Sequence, residues 1–141
     1  MKLRPHLIEF LEYVSNSYEI IVFCNGSTIY CSHVLDFIER QRRYFAHRLY
    51  NNHVLLENST FSVKFYDVLL NEQRTLHNTV IVESQVATYS LLIYSGVPML
   101  PYKAAEAGDR ELVRLASFLD QMLKVDSVFG YISGKVRHAM F

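Results

Sequence analysis

The sequence predicts a three-layer α/β domain built around a parallel sheet. Three observations lead to this fold class: two short apolar runs, amphipathic helix patterns around them, and small polar residues directly after each run. Parallel strands that helices cover on both faces are expected to be continuously apolar. The alternation of helix and strand patterns is typical of α/β folds. The length of 141 residues suits one domain over residues 1–141.

The first helix is predicted to begin at Arg4-Pro5, because the first helical position tolerates the missing N–H of proline. Apolar residues then recur with the period of a helix face, and the pattern ends near Ser17. The residues of this face are Leu7, Phe10, Leu11 and Val14.

A first buried strand is predicted at Tyr18–Cys24, which is apolar on both faces. It ends in the small polar turn Asn25-Gly26-Ser27. Ser27 or Thr28 can cap a second helix after this turn. The apolar residues of that helix are Ile29, Val34, Leu35 and Ile38.

The pattern of the sequence changes in the middle of the chain. Short strand-like pieces alternate with Asn51-Asn52 and Asn58-Ser59, and such breaks indicate small hairpins. We therefore predict a small β insertion at about residues 44–65. Its strand-like pieces are Tyr44–Tyr50, His53–Glu57 and Thr60–Phe65.

A second buried strand is predicted at Thr79–Glu83, again followed by small polar residues. Two prolines favour an extended segment at Val97–Tyr102. Asp109 then opens a last helix, since acidic residues favour the first turn. The apolar face of this helix consists of Leu112, Leu115, Leu119, Met122 and Leu123.

Charge and hydropathy exclude some classes of partner. Lys and Arg total 14, and so do Asp and Glu, so no overall field attracts nucleic acid or an anionic membrane. The basic run Arg40–Arg43 is interpreted as a solvated helix end. We find no apolar run of membrane-spanning length and no pattern of a secretory signal peptide.

The two cysteines, Cys24 and Cys31, have no second pair with which to bind zinc. Two buried reduced thiols are favoured over a disulfide, because free cysteine behaves as a small apolar residue. Reduced thiols would agree with a reducing compartment.

Three residues at strand ends offer different chemistry. Cys24 and Glu83 would meet at one edge if their strands are parallel, and Lys64 closes another strand-like piece. A thiol, an ammonium and a carboxylate would then share a crevice. The residues alone leave the ordinary alternatives open: a solvated lysine at a strand end and an exposed or capping acid.

The order of these segments resembles one branch of the haloacid-dehalogenase superfamily, with its Rossmannoid parallel sheet. That branch holds the small phosphatases acting on the RNA polymerase II C-terminal domain, which are NLI-interacting-factor-like. It also holds the presequence-receptor subunit of the mitochondrial inner-membrane translocase. The similar segments are LRPHLIEFLEYVSNSYEIIVFCNGSTIY, FAHRLYNNHVLLENSTFSVK, TVIVESQVATY, GVPMLPY and GDRELVRLASFLDQML.

The resemblance implies roles for several positions. Cys24 occupies the position of a Thr or Ser that holds phosphoryl oxygens, so it and Asn25 form a phosphate-binding remnant. Lys64 matches the family lysine that binds the phosphoryl group. Glu83 and Ser84 stand at the acidic pair on the metal side, where they would contact Mg²⁺ if the metal binds. A thiol is a weak donor, and the longer Glu83 suits octahedral Mg²⁺ poorly.

The family's catalytic D-x-D-x-T lies on a first strand that precedes the Arg-Pro helix. No such motif occurs in the 141 residues. The expected fold is therefore a haloacid-dehalogenase-like sheet that lacks its usual first strand, between the strands ending at Cys24 and Glu83. Asp109 and Glu111 are also two residues apart, but they fit a helix N-terminus better than a catalytic strand.

Our main functional hypothesis is a catalytically degenerate, phosphatase-like domain that binds protein and resembles the translocase receptor subunit in mitochondrial protein import. It implies no cofactor. The alternative is a Mg²⁺-dependent protein serine phosphatase whose D-x-D-x-T strand lies upstream. A structural or scaffolding remnant is a third hypothesis.

Partners and location follow from the resemblance alone. The main hypothesis implies a protein or peptide partner, such as a mitochondrial presequence or another translocase subunit, and a mitochondrion or mitochondrion-derived organelle. The phosphatase alternative implies the nucleus or cytoplasm. The candidate partner contacts are Tyr50, Val54, Leu55, Phe61 and Phe65. Each of them taken alone favours packing of the hairpins themselves.

Overall fold

The structure, a computed structural model, describes residues 2–24, 26–50, 54–57, 62–64, 70–83, 96–103 and 108–140. Its helices are α1 (Leu7–Val14), α2 (Thr28–Ile38), α3 (Glu111–Met122) and α4 (Val128–Met140). Its strands are β1 (Ile20–Phe23), β2 (Phe45–Leu49), β3 (Val54–Glu57), β4 (Ser62–Lys64), β5 (Ile81–Glu83) and β6 (Gly96–Pro98).

The chain divides into two compact units. Unit 1 consists of Met1–Val54 and Tyr102–Ser117, and unit 2 consists of Leu55–Pro101 and Phe118–Phe141. The single domain over residues 1–141 stays a prediction.

The sheet of unit 1 is a parallel pair formed by β1 and β2. The prediction had placed Tyr44–Tyr50 among the hairpins of the β insertion, and this was wrong for β2. The physical reason is the connection: parallel strands need a crossover, and α2 provides it. The backbone N–H of Cys24 extends the pairing by donating to the carbonyl of Leu49 at 2.8 Å.

The core of unit 1 lies where α1 and α2 pack against this pair of strands. Its buried residues are Leu11, Leu35, Ile38, Tyr44 and Phe45, with partly buried neighbours that include Ile20, Val22 and Val34. Ile29 was predicted to belong to this face, but 75% of it is exposed. The buried face of α2 runs through Cys31, and Ile29 lies off that face in the first turn.

Two helix starts show how local chemistry fixes the boundaries. α2 begins after Ser27, which is one of the two predicted caps, with the Ser27 Oγ accepting the N–H of Tyr30 at 3.2 Å. α1 begins at Leu7 rather than at Arg4-Pro5. His6 adopts a left-handed φ of 70°, which is incompatible with a continuing right-handed helix.

The last predicted helix is confirmed as α3. Four of its predicted apolar residues are buried, namely Leu112, Leu115, Leu119 and Met122. Leu123 lies just beyond the helix and is 50% exposed, so its assignment to the core was wrong.

Unit 2 contains the pair β3–β4 apart from Val54, the parallel pair β5–β6 and the helix α4. The sequence analysis did not predict α4, because Gly130 and Gly134 lower its helix propensity. Ser127 caps this helix by accepting the N–H of Gly130 at 3.0 Å. The N–H of Val128 donates to the carbonyl of His77 at 2.8 Å, which ties the helix start to the segment before β5.

The described residues therefore form a mixed α/β structure with parallel strands, as the fold prediction required. Three layers and an open position for a first strand stay predictions. No helix in the described ranges is long and apolar enough to cross a membrane.

Candidate functional site

The turn after β1 is the first predicted part of the site. A disulfide joins Cys24 to Cys31, so the prediction of two reduced thiols was wrong. The two Cα atoms lie 6.4 Å apart, a separation that disulfides commonly bridge. The argument for a reducing compartment loses its basis with the free thiols.

The disulfide changes what position 24 can do. A disulfide sulfur carries no hydrogen, so Cys24 cannot donate a hydrogen bond to a phosphoryl oxygen in this state. The predicted weak contact is thus absent as long as Cys24 is oxidised.

Lys64 and Glu83 are the two charged residues of the predicted site, and both belong to unit 2. Lys64 is the last residue of β4 and Glu83 the last of β5, as the sequence predicted. The backbone carbonyl of Glu83 accepts the N–H of Met99 at 3.2 Å, which fixes this strand end against the chain after β6. Their roles toward phosphate stay predictions.

Several predicted residues lie partly or wholly outside this description. Asn25, Ser84, Phe61 and Phe65 are outside the described residues. Val54 and Leu55 are the first two residues of β3. Tyr50 is half-buried, packs against the core of unit 1, and has its hydroxyl 3.2 Å from the Ser32 Oγ.

The described residues do not fit a Mg²⁺ site by themselves. Nowhere in the described ranges do three or more His, Cys, Asp or Glu residues come together in a way that could hold a metal ion. Octahedral Mg²⁺ needs oxygen ligands in near-ideal geometry, and Glu83 alone cannot provide them.

Asp109 and Glu111 are confirmed as residues of a helix start. The Asp109 carboxylate accepts the N–H of Glu111 at 3.1 Å. It also accepts Arg4 at 3.0 Å, in an ion pair with side-chain exposures of 12% for Arg4 and 9% for Asp109. The hydrogen bond from Arg4 holds the pKa of Asp109 below its usual range. Sequence reasoning missed this pairing because the partners lie 105 residues apart.

Sequence reasoning also missed a charged groove in unit 1. At its centre, the Glu39 carboxylate accepts the N–H groups of Tyr44 at 2.6 Å and Phe45 at 2.9 Å, and Arg48 at 2.6 Å. Arg48 also binds Asp36 at 2.9 Å. The groove is lined by Asp36, Glu39, Arg43, Phe45, Ala46, His47 and Arg48.

The charges at the centre of this groove neutralise one another, so we assign them a structural role. Glu39 connects the end of α2 to the start of β2. Burial would raise its pKa, but the hydrogen bonds from Arg48, Phe45 and Tyr44 outweigh burial and lower the pKa below its usual range. The hydrogen bond with Glu39 in turn raises the pKa of Arg48.

We expect Glu39→Gln to lower the free energy of unfolding at neutral pH by about 1.5–3 kcal/mol, because hydrogen bonds to a buried charge are lost. The carboxylate with a lowered folded pKa stabilises the fold above its unfolded pKa, and this contribution disappears as the pH falls through the folded pKa. The free energy of unfolding, measured with urea, should therefore fall less between neutral pH and about pH 3 in Glu39→Gln than in the unsubstituted chain. Equal losses in both proteins would contradict this assignment.

Comparison with known proteins identifies the family. The family described as NLI interacting factor-like phosphatase matches residues 1–129. The chain belongs to this family. The match covers α1, α2, every described strand and α3, so the predicted resemblance to the NLI-interacting-factor-like phosphatases is confirmed. The resemblance to the translocase subunit and the lack of a first strand stay predictions.

Relatives of the NLI interacting factor-like family include the CTD small phosphatase-like protein 3 of Caenorhabditis elegans, 28% identical over 85% of this chain and 40% of that protein. The nuclear envelope morphology protein 1 of Schizosaccharomyces pombe is 30% identical over 89% of this chain and 25% of its own length. The CTD nuclear envelope phosphatase 1 of Xenopus tropicalis is 29% identical over 84% of this chain and 47% of its own length. The chain thus spans less than half the length of each of these three relatives.

Proposed function

We propose that the chain is part of a phosphoprotein phosphatase of the CTD small phosphatase type. The observation that carries this proposal is the family match over residues 1–129. The names of the relatives, which are CTD small phosphatase-like and nuclear envelope phosphatases, support it. Of the hypotheses from the sequence, the alternative is therefore favoured over the degenerate translocase receptor.

In this proposal the nucleophile comes from a D-x-D-x-T strand outside the 141 residues. We propose that this strand hydrogen-bonds to β1 or β5, which are the parallel strands that precede Cys24 and carry Glu83. The carboxylates of that strand would also complete the Mg²⁺ ligands that the described residues lack. The three-layer sheet with this strand restored is part of the proposal.

The residues of this chain would contribute binding and orientation. Lys64 would place a fixed positive charge at the phosphoryl oxygens, where negative charge is held during transfer. The resemblance implies that Cys24 and Asn25 would contribute to phosphate binding, and that Glu83 and Ser84 would contact Mg²⁺ if the metal binds. We assign the protein to the nucleus or nuclear envelope, because two relatives carry that location in their names. The comparisons give no support to mitochondrial import.

A protein-binding module without catalysis is the second candidate. One observation favours it: Cys24 is oxidised in the structure, so it cannot donate a hydrogen bond to a phosphoryl oxygen. The partner would then contact the β insertion, with Tyr50, Val54, Leu55, Phe61 and Phe65 as the candidate contacts.

The experiment supplies the missing strand. The chain is fused to the D-x-D-x-T segment of the Caenorhabditis elegans relative and assayed with para-nitrophenyl phosphate and a phosphoserine peptide, with and without Mg²⁺. The control fusion carries asparagine in place of the first aspartate of the motif. We expect Mg²⁺-dependent hydrolysis in the fusion and none in its control or in the chain alone. A folded, reduced fusion without turnover would contradict the phosphatase proposal and favour the binding module.

A further inference from the structure

The disulfide of unit 1 closes a loop whose two ends are held by other bonds. The N–H of Cys24 donates to the carbonyl of Leu49 at 2.8 Å, which fixes it at the end of the β1–β2 pair. The N–H of Cys31 donates to the carbonyl of Ser27 at 2.9 Å within the first turn of α2. Because strand and helix hold both backbones, reduction would leave the two thiols close together and ready to pair again.

The two sulfur atoms differ in their access to solvent. Cys31 is 1% exposed and packs into the core side of α2, whereas Cys24 is half-buried at the strand end. A Cβ atom added at Gly26 would lie 3.3 Å from the Cys31 sulfur, which is an unusually close contact, so the glycine backbone passes near that sulfur. A small reagent would therefore reach Cys24 before Cys31.

We propose that Cys24 and Cys31 form a reversible redox pair that exchanges with low-molecular-weight disulfides such as oxidised glutathione. Oxidation of the pair removes the hydrogen-bond donor at position 24 and so weakens phosphoryl binding there. The existence of the pair is independent of the catalytic role of the protein, whereas its effect on phosphate rests on the proposed function.

The exchange balances in two steps. The Cys24 thiolate attacks one sulfur of oxidised glutathione, forms a mixed disulfide and releases one glutathione thiolate. The Cys31 thiolate then attacks the Cys24 sulfur and releases the second glutathione. Two protein thiols are oxidised to the disulfide, and one oxidised glutathione is reduced to two glutathione molecules, which take up the two protons.

The first test measures the thiols directly. The 141-residue chain is equilibrated at a series of ratios of reduced to oxidised glutathione, trapped with N-ethylmaleimide under denaturing conditions, and weighed by mass spectrometry. We expect two adducts in the reduced protein and none in the oxidised protein. Cys31→Ser should stop at the mixed disulfide and retain one glutathione on Cys24. Thiols that remain reduced at every ratio, or that form disulfides only between molecules, would overturn the pair.

The native protein provides a matched control for access. Under native conditions, N-ethylmaleimide should modify Cys24 in the Cys31→Ser variant much faster than it modifies Cys31 in the Cys24→Ser variant. Equal rates would contradict the order of attack.

The second test addresses the effect on phosphate. In the fusion with the D-x-D-x-T segment, inorganic phosphate should slow the modification of Cys24 in the Cys31→Ser variant, and sodium chloride of equal ionic strength should not. Oxidised glutathione should lower kcat/KM of the unsubstituted fusion and leave that of the Cys24→Ser fusion unchanged. Equal modification rates in phosphate and chloride would contradict the proposed weakening of phosphoryl binding. The mass-spectrometric titration tests the redox pair separately. A fusion without turnover would instead contradict the proposed function.

Discussion

Lys64→Ala in the fusion that carries the D-x-D-x-T strand is expected to lower kcat/KM by about 10²–10³-fold. Loss of one preorganised donor at a developing negative charge typically costs this much. The lysine is the last residue of β4, so its backbone is fixed by the β3–β4 pair. Initial rates with para-nitrophenyl phosphate and with the phosphoserine peptide measure the effect. Because the phosphoryl group is the only part that the two substrates share, kcat/KM should fall by a similar factor for both.

The matched control is Lys124→Ala, which removes an exposed lysine just beyond α3. It should retain the activity of the fusion. Lys64→Arg separates charge from geometry: it keeps the charge but replaces a point charge with a planar fork, so partial activity is expected. If Lys64→Ala keeps full activity with an unchanged circular dichroism spectrum, Lys64 does not bind the phosphoryl group.

Leu115→Ala is expected to lower the free energy of unfolding by about 2–5 kcal/mol, the usual cost of truncating a fully buried leucine. Leu115 is 1% exposed and lies on the buried face of α3. The removed methyl groups would leave a cavity that the helix cannot close, because its start is held by the bonds of Asp109 to Arg4 and to the N–H of Glu111. Urea denaturation measures the change as a lower midpoint with an unchanged slope.

Val113→Ala is the control on the same helix, since Val113 is 37% exposed. We expect it to change the free energy of unfolding by at most about 0.5 kcal/mol. A Leu115→Ala protein as stable as this control would show that α3 is not packed as the structure describes.

The phosphatase proposal divides the activity between this chain and a further segment. The 141 residues contain the lysine and the acidic strand end but no D-x-D-x-T. The phosphatase proposal therefore depends on a further segment, and the match to this chain covers less than half the length of these two relatives. The fusion experiment and the glutathione titration address separate parts of this picture, because the cysteine pair lies entirely within the chain.

Much of the local structure could be predicted from the sequence. β1 follows from its continuous apolar residues, and α2 follows from Ser27 as an N-cap. The strand ends at Lys64 and Glu83 were also predicted correctly. These features depend on residues close together in the chain, where propensity and capping act directly.

The site was predictable only in part. The position of Cys24 at a strand end followed from the sequence, but its bond to Cys31 did not. The interpretation of two apolar thiols used composition alone, whereas the bond depends on the path of the turn. α4 was missed for the opposite reason: its two glycines weaken the local signal, and contacts such as the one between Val128 and His77 hold it in place.

The sequence by itself determined the family, the positions of most helices and strands, and the charged residues at two strand ends. The tertiary structure decided that β2 pairs in parallel with β1, that Arg4 binds Asp109, that Glu39 anchors the start of β2, and that Cys24 is oxidised. The physical reason is distance along the chain. Period, propensity and capping act over a few residues, while strand pairing, buried ion pairs and disulfides depend on where the folded backbone brings distant residues together.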